Sequence, residues 1–219
     1  MKSIIVGFVI LISITTTYAQ TSCCSVTNCG QTWMKYNLQT TNYRNGDPIP
    51  LVTDPNIWKN LTTGAYCYPN GDTANVATYG LLYNWYAVND PRGLAPHTWH
   101  IPSESEWNTF FNCLGGYTPC GGCSYPIAGG KMKEASTANW LAPNFGATNS
   151  CGFGGLPGGY RNFQGQFGNL TGWGYWWSTT LKPTDINQAW HFYLSYNSDQ
   201  ISHGHFDKTW GFSVRCIKN

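Results

Sequence analysis

Apolar residues recur at helical spacing in one stretch of the chain. Trp107, Phe110, Phe111 and Leu114 fall on a single helical face. Ser103 stands three residues before Glu106, just after Pro102. In such a capping box the hydroxyl accepts from a free backbone N–H and the carboxylate reaches back to the cap. Gly115 and Gly116 supply the stop, because glycine enters the left-handed conformation without a Cβ penalty. The pattern therefore predicts a helix over 103–114 with an aromatic face. Residues 131–135 predict a second, shorter helix. Short strands are expected at 33–38, 175–178, 189–193 and 212–217. The last overlaps GFSVRC, Gly211 to Cys216, whose alternation reads as a strand. Residues 81–88 are apolar and fit either a strand or a short helix.

Between these elements glycine sets the character of the chain. The stretch GFGGLPGGYRNFQGQFGNLTGWGYWW, residues 152–177, mixes glycines with large aromatics and carries one charge, Arg161. Each glycine inside a helix would cost about 1 kcal/mol relative to alanine. Strands and tight turns follow instead, with aromatics filling the core. Asn45-Gly46-Asp47 and Pro69-Asn70-Gly71 are further turn signals.

Composition narrows the class. Aromatics make up 16% of the 219 residues and charged residues only 10%, so a buried core is expected rather than disorder. The formal net charge of +2, with no run of Lys or Arg, leaves no basic stripe and argues against nucleic acid. The N-terminus reads as a secretory signal: Lys2, an apolar run over 4–14, then Thr17-Tyr18-Ala19. Cleavage after Ala19 is expected, and the apolar run is shorter than the ~20 residues a membrane span needs. No other stretch is long enough to span. Nine cysteines follow the signal, and in a secreted chain they predict disulfides with one left over. Cys23, Cys24 and Cys29 form one cluster, and residues 20–30 read as a small appendage. Cys113, Cys120 and Cys123 form a second cluster, while Cys67, Cys151 and Cys216 stand apart.

A set of motifs in one order then carries a family resemblance. Trp33 precedes YNLQTTNYRNGDPIP, LTTGAYCYPNG and YGLLYNWYAV. After these come WHIPSESEW, AGGKMKE, GATNSCGFGGLPGGYRN, GYWWSTT and GFSVRC. Together they resemble the Fibrobacter succinogenes major paralogous domain over residues 31–219. The resemblance implies a secreted or cell-surface module of bacterial type, with no established reaction. Its C-terminal half also resembles the C-type-lectin-like fold shared by the formylglycine-generating enzyme group. An α+β fold is implied: small twisted antiparallel sheets, one or two short helices, long Gly/aromatic-rich loops and disulfide staples. Two departures stand out, Cys151 in place of a small residue and the insert YTPCGGCSYPI. They point to Cys151 pairing with one of Cys113, Cys120 and Cys123. Cys67 and Cys216, both inside family motifs, are the other expected pair.

Candidate chemistry is sparse. The formylglycine-generating type needs a reactive cysteine pair beside its loop, and GGYRN, residues 158–162, has none. Arg161 is expected to donate to backbone carbonyls instead. Cys120-Gly121-Gly122-Cys123 lies in a Pro/Gly-rich loop rather than opening a helix, so it reads as structural, not redox. His203-Gly204-His205 places two imidazoles on one side of a strand, but no further ligand at a supporting spacing. No metal is therefore assigned. His97 and His191 carry no motif. The lectin-type calcium tripeptides are absent, so calcium has no support and no cofactor is expected. Glu104 and Glu106 belong to the helix start, which leaves no carboxylate pair for glycoside hydrolysis.

Aromatics remain, because sugar C–H faces stack on Trp and Tyr. Trp173, Tyr175, Tyr193, Tyr196 and Trp210 are candidates. The segment 195–210 mixes aromatics with adaptable polar residues, so Tyr196, His203, His205 and Trp210 are the expected ligand contacts. The sequence thus reads as a non-catalytic recognition module for a glycan or protein ligand, with adhesion as its setting. A structural subunit of a surface filament or coat, with self-association through 20–30, is the alternative. An enzyme related to the formylglycine-generating group is the second alternative.

Overall fold

The computed structural model describes residues 25–115, 124–125 and 127–219. The signal segment, Cys23, Cys24, Cys120 and Cys123 lie outside these residues. Thirteen strands occur among them. In chain order they are β1 (Ser25–Asn28), β2 (Gln31–Met34), β3 (Tyr66–Cys67), β4 (Leu82–Asn84), β5 (Trp99–His100) and β6 (Ser124–Tyr125). There follow β7 (Gly158–Arg161), β8 (Phe167–Leu170), β9 (Trp173–Lys182), β10 (Asp185–Ser195), β11 (Ile201–Asp207), β12 (Gly211–Phe212) and β13 (Ile217–Lys218). Five helices join them: α1 (Pro55–Trp58), α2 (Val76–Tyr79), α3 (Trp85–Val88), α4 (Glu104–Gly115) and α5 (Ala128–Met132). The protein is a mixed α+β domain dominated by sheet.

One sheet has four strands in the order β1-β2-β13-β5. The other has nine, in the order β3-β4-β12-β7-β9-β10-β11-β6, with β8 on β7. The expectation of small, wholly antiparallel sheets is corrected here. After β7 the chain turns back through β8 and then runs beside β7 again, so β7 and β9 pair in parallel. Residues 25–30 form a strand and turn of the smaller sheet. Cys29 and Gly30 link β1 to β2 at φ 57° and 75°. Two positive φ values in a two-residue loop match the twist of the strands it joins.

Helix α4 forms as its pattern predicts. The Ser103 N–H and hydroxyl both donate to Glu106 Oε2, at 2.8 and 2.7 Å. Trp107, Phe110, Phe111 and Leu114 are all buried. They pack on Trp33, Phe153, Trp176 and Phe192; Trp33 lies 4.5 Å from Trp107 between ring centroids. The short helix expected at 131–135 falls at Ala128–Met132. Residues 81–88 resolve into both alternatives, strand β4 followed at once by α3, with Asn84 capping the helix through Ala87 N.

The C-terminal strand departs from its alternation. Residues 211–217 are buried throughout, and the segment splits between β12 in the large sheet and β13 in the small one. Ser213 and Arg215, the polar residues of the segment, are 1% and 0% exposed. Arg215 is held by Asn37 Oδ1 and the carbonyls of Met34 and Phe153, with its guanidinium 4.2 Å from the Phe153 ring. A guanidinium with carbonyl partners on several sides can be buried without a carboxylate.

Cysteine pairing also differs from expectation. Cys29 bonds Cys113, tying the β1–β2 turn to α4 across 84 residues of sequence. Cys67, Cys151 and Cys216 carry free, buried thiols. Cys67 packs with Val52, Trp58 and Leu82, whereas Cys216 packs with Tyr83 and Val214 in a separate cluster. Cys151, with Cys113 taken, lies against the Lys131 carbonyl.

Candidate ligand-binding site

Strand alternation sorts the aromatics of β9, β10 and β11 onto two faces. The register pairs Tyr175 with Tyr193, Trp177 with His191, His191 with Gly204 and Ala189 with Phe206. Trp173, Tyr175, Trp177, His191, Tyr193, Gly204 and Phe206 therefore share one face. Trp176, Phe192 and Leu194 turn to the other and pack on α4. The first face is not fully covered. It lines an open concavity of about 380 Å³, bordered by Trp173, Tyr175, His191, Tyr193, Phe206 and residues 203–205.

The rings around it are ordered by one another. Phe206 stacks on Trp210 at 4.0 Å and on His191 at 4.7 Å, with interplanar angles of 12° and 17°. Its two faces are thus occupied, and it offers its edge. Trp173 lies 5.3 Å from Tyr193 and 6.0 Å from Tyr175. Trp173 and Tyr193 are half-buried and supply accessible ring surface at that end. No Asp, Glu, Lys or Arg lines the concavity.

His191 forms part of its wall. It is 2% exposed, and its Nδ1 has no hydrogen-bond partner. Burial, reinforced by His203 and His205, pushes its pKa down to about 3, so the ring is neutral at physiological pH. Gly204 lets the ring pack directly against β11: a Cβ there would sit 3.1 Å from His191 Cε1.

The residues anticipated from sequence do not converge. Trp210 stacks at the edge of the aromatic row. His203 and His205 border the concavity along β11, but their rings stack on Trp190 at 4.9 and 4.7 Å, on the sheet's other face. Burial lowers the pKa of both. Tyr196 lies beyond the end of β10, beside Gly172, and packs against the core under α4. Trp173, Tyr175 and Tyr193 do come together. His191 and Gly204 were not signalled. Alternation in AWHFYLS places His191 with Tyr193, but only the strand register sets Gly204 opposite it.

The remaining charged candidates are structural. Arg161, fully buried, donates to the carbonyls of Gly165, Val52 and Thr53, and lies 4.4 Å from the Trp58 ring. Lys133, also fully buried, donates to the carbonyls of Phe145, Ser195 and Ser198. Burial pushes the Cys67 and Cys216 thiols up to about 12, far from thiolate. Among the described residues no group of three His, Cys, Asp or Glu could hold a metal ion, and no helix is long and apolar enough to cross a membrane.

Fold and site together define a sheet-rich α+β domain with an open, uncharged aromatic concavity. The chain belongs to the Fibrobacter succinogenes major domain family, a bacterial family whose model matches residues 26–218. No curated protein and no solved structure matches it.

Proposed function

We propose that the protein is a secreted or surface-exposed, non-catalytic recognition module that binds glycans, built on a C-type-lectin-like fold. The observation that carries this reading is the half-open aromatic face around Trp173, Tyr193 and His191. Aromatic rings beside a few polar tips suit ligands with apolar C–H faces and hydroxyl edges. The Cys29–Cys113 bond and the signal-type N-terminus support export to an oxidising compartment. The buried thiols, held protonated, support a role without cysteine chemistry. A glycan array probed with the mature protein tests the proposal. Retention on a defined glycan, lost in Trp173→Ala and kept in Ile186→Ser at an exposed site away from the concavity, is the expected result. Binding indifferent to Trp173→Ala would move the site elsewhere.

A further inference from the structure

Resting on that reading, we propose that the concavity takes an uncharged polyhydroxylated ligand, a neutral sugar, and that His191, in its wall, reads one of its hydroxyls. Three observations lead there. First, the lining holds no fixed charge, so an acidic sugar would leave its carboxylate without a counterion. Secondly, His191 is buried with Nδ1 unpartnered among Tyr175, Phe206 and Phe212, whose rings lie 6.0, 4.7 and 5.1 Å away. Buried polar atoms in folded proteins find partners, and an exception beside an open concavity marks a place where a ligand atom completes the set. Thirdly, β11 has glycine at the one position facing that ring. Its backbone φ is one that any residue adopts, so turn geometry does not require glycine here. What glycine provides is room for the imidazole itself, since the absent Cβ would stand 3.1 Å from Cε1 and 3.7 Å from Nε2.

His191 thereby acts as a neutral imidazole, one nitrogen donating and the other accepting. A hydroxyl, which both donates and accepts, can pair with either. Stacking at Trp173 and Tyr193 would tolerate many sugars, while the hydrogen bond to His191 selects the hydroxyl pattern.

The test is calorimetric titration of the full mature protein with neutral disaccharides (cellobiose, lactose, maltose and diacetylchitobiose) and with acidic digalacturonate. Wild type, His191→Phe, Gly204→Val and Trp173→Ala are compared, with thermal melting of each. At least one neutral disaccharide should bind. His191→Phe should weaken that binding by about tenfold or more while melting no lower than wild type. Gly204→Val, whose side chain displaces the His191 ring, should abolish it. Neutral-sugar binding that His191→Phe leaves unchanged but Trp173→Ala removes would overturn the role of His191 and spare the recognition reading. Preference for digalacturonate would overturn the uncharged-ligand inference alone. Absence of binding by every disaccharide tested would remove both.

Discussion

The two faces of the β9–β11 sheet are built from the same kinds of residue and meet different fates. On one, Trp176, Phe192 and Leu194 are fully buried under Trp107, Phe110 and Phe111 of α4. On the other, Trp173, Tyr193, Phe206 and Trp210 remain half-buried. An aromatic side chain therefore does not declare itself core or site. What decides is whether another element closes over it. The covered face interlocks its rings in both ways, with Phe111 edge-on to Phe192 at 65° and Trp107 stacked with Phe111 at 27°. The open face likewise mixes geometries, with His191 and Phe206 stacked at 17° and Tyr175 and Tyr193 tilted at 35°.

Truncation on each side separates the two most strongly. Trp107→Ala should cost about 3–5 kcal/mol of stability in denaturant unfolding, through lost burial and a cavity. Trp173→Ala should cost about 1 kcal/mol or less. Equal losses would mean that the open face is core after all. Reduction of Cys29–Cys113, which anchors the covered face to the small sheet, should lower stability by about 2–4 kcal/mol. The melting temperature with and without reductant measures this, and a ligand complex at the concavity should still form in the reduced, folded protein.

Acid should act through the open face. An unfolded histidine titrates near 6.5, whereas His191 in the fold keeps its neutral form down to about 3. Between these values the unfolded chain binds the extra proton. The contribution is therefore full above pH 6.5 and declines as pH falls toward 3. His203 and His205 of β11, also lowered, add in the same direction; Tyr175, which faces the ring and is raised by burial, stays neutral there. Stability should fall by roughly 1–3 kcal/mol by about pH 4.5, and His191→Phe should flatten that slope. An unchanged slope in the variant would show that His191 is not the group being titrated.

How much of this was readable in advance depends on whether the signal was local. Helix α4 was legible because its cap, its apolar face and its glycine stop are all contained in one short stretch. The glycine-rich stretch likewise announced strands and turns, and Arg161 its carbonyl partners. The GFSVRC alternation showed a strand but not its split between two sheets, where Arg215 is buried by partners such as Asn37, 178 residues away in sequence. Cys113 pairs with Cys29 because β1 and β2 join the small sheet beside α4, a juxtaposition no spacing encodes. The candidate site was half legible. Trp173, Tyr175 and Tyr193 could be named as aromatics, but the pairing of His191 with Gly204 exists only in the register.

Loop-rich domains often gather backbone carbonyls around a bound cation supplied by the medium. Here Lys133, Arg161 and Arg215 do that gathering from within the chain, each holding carbonyl oxygens of distant segments. Their positive charge is synthesised with the protein and cannot be competed away, diluted or chelated. At these three points the loops are held by charge that the chain itself carries.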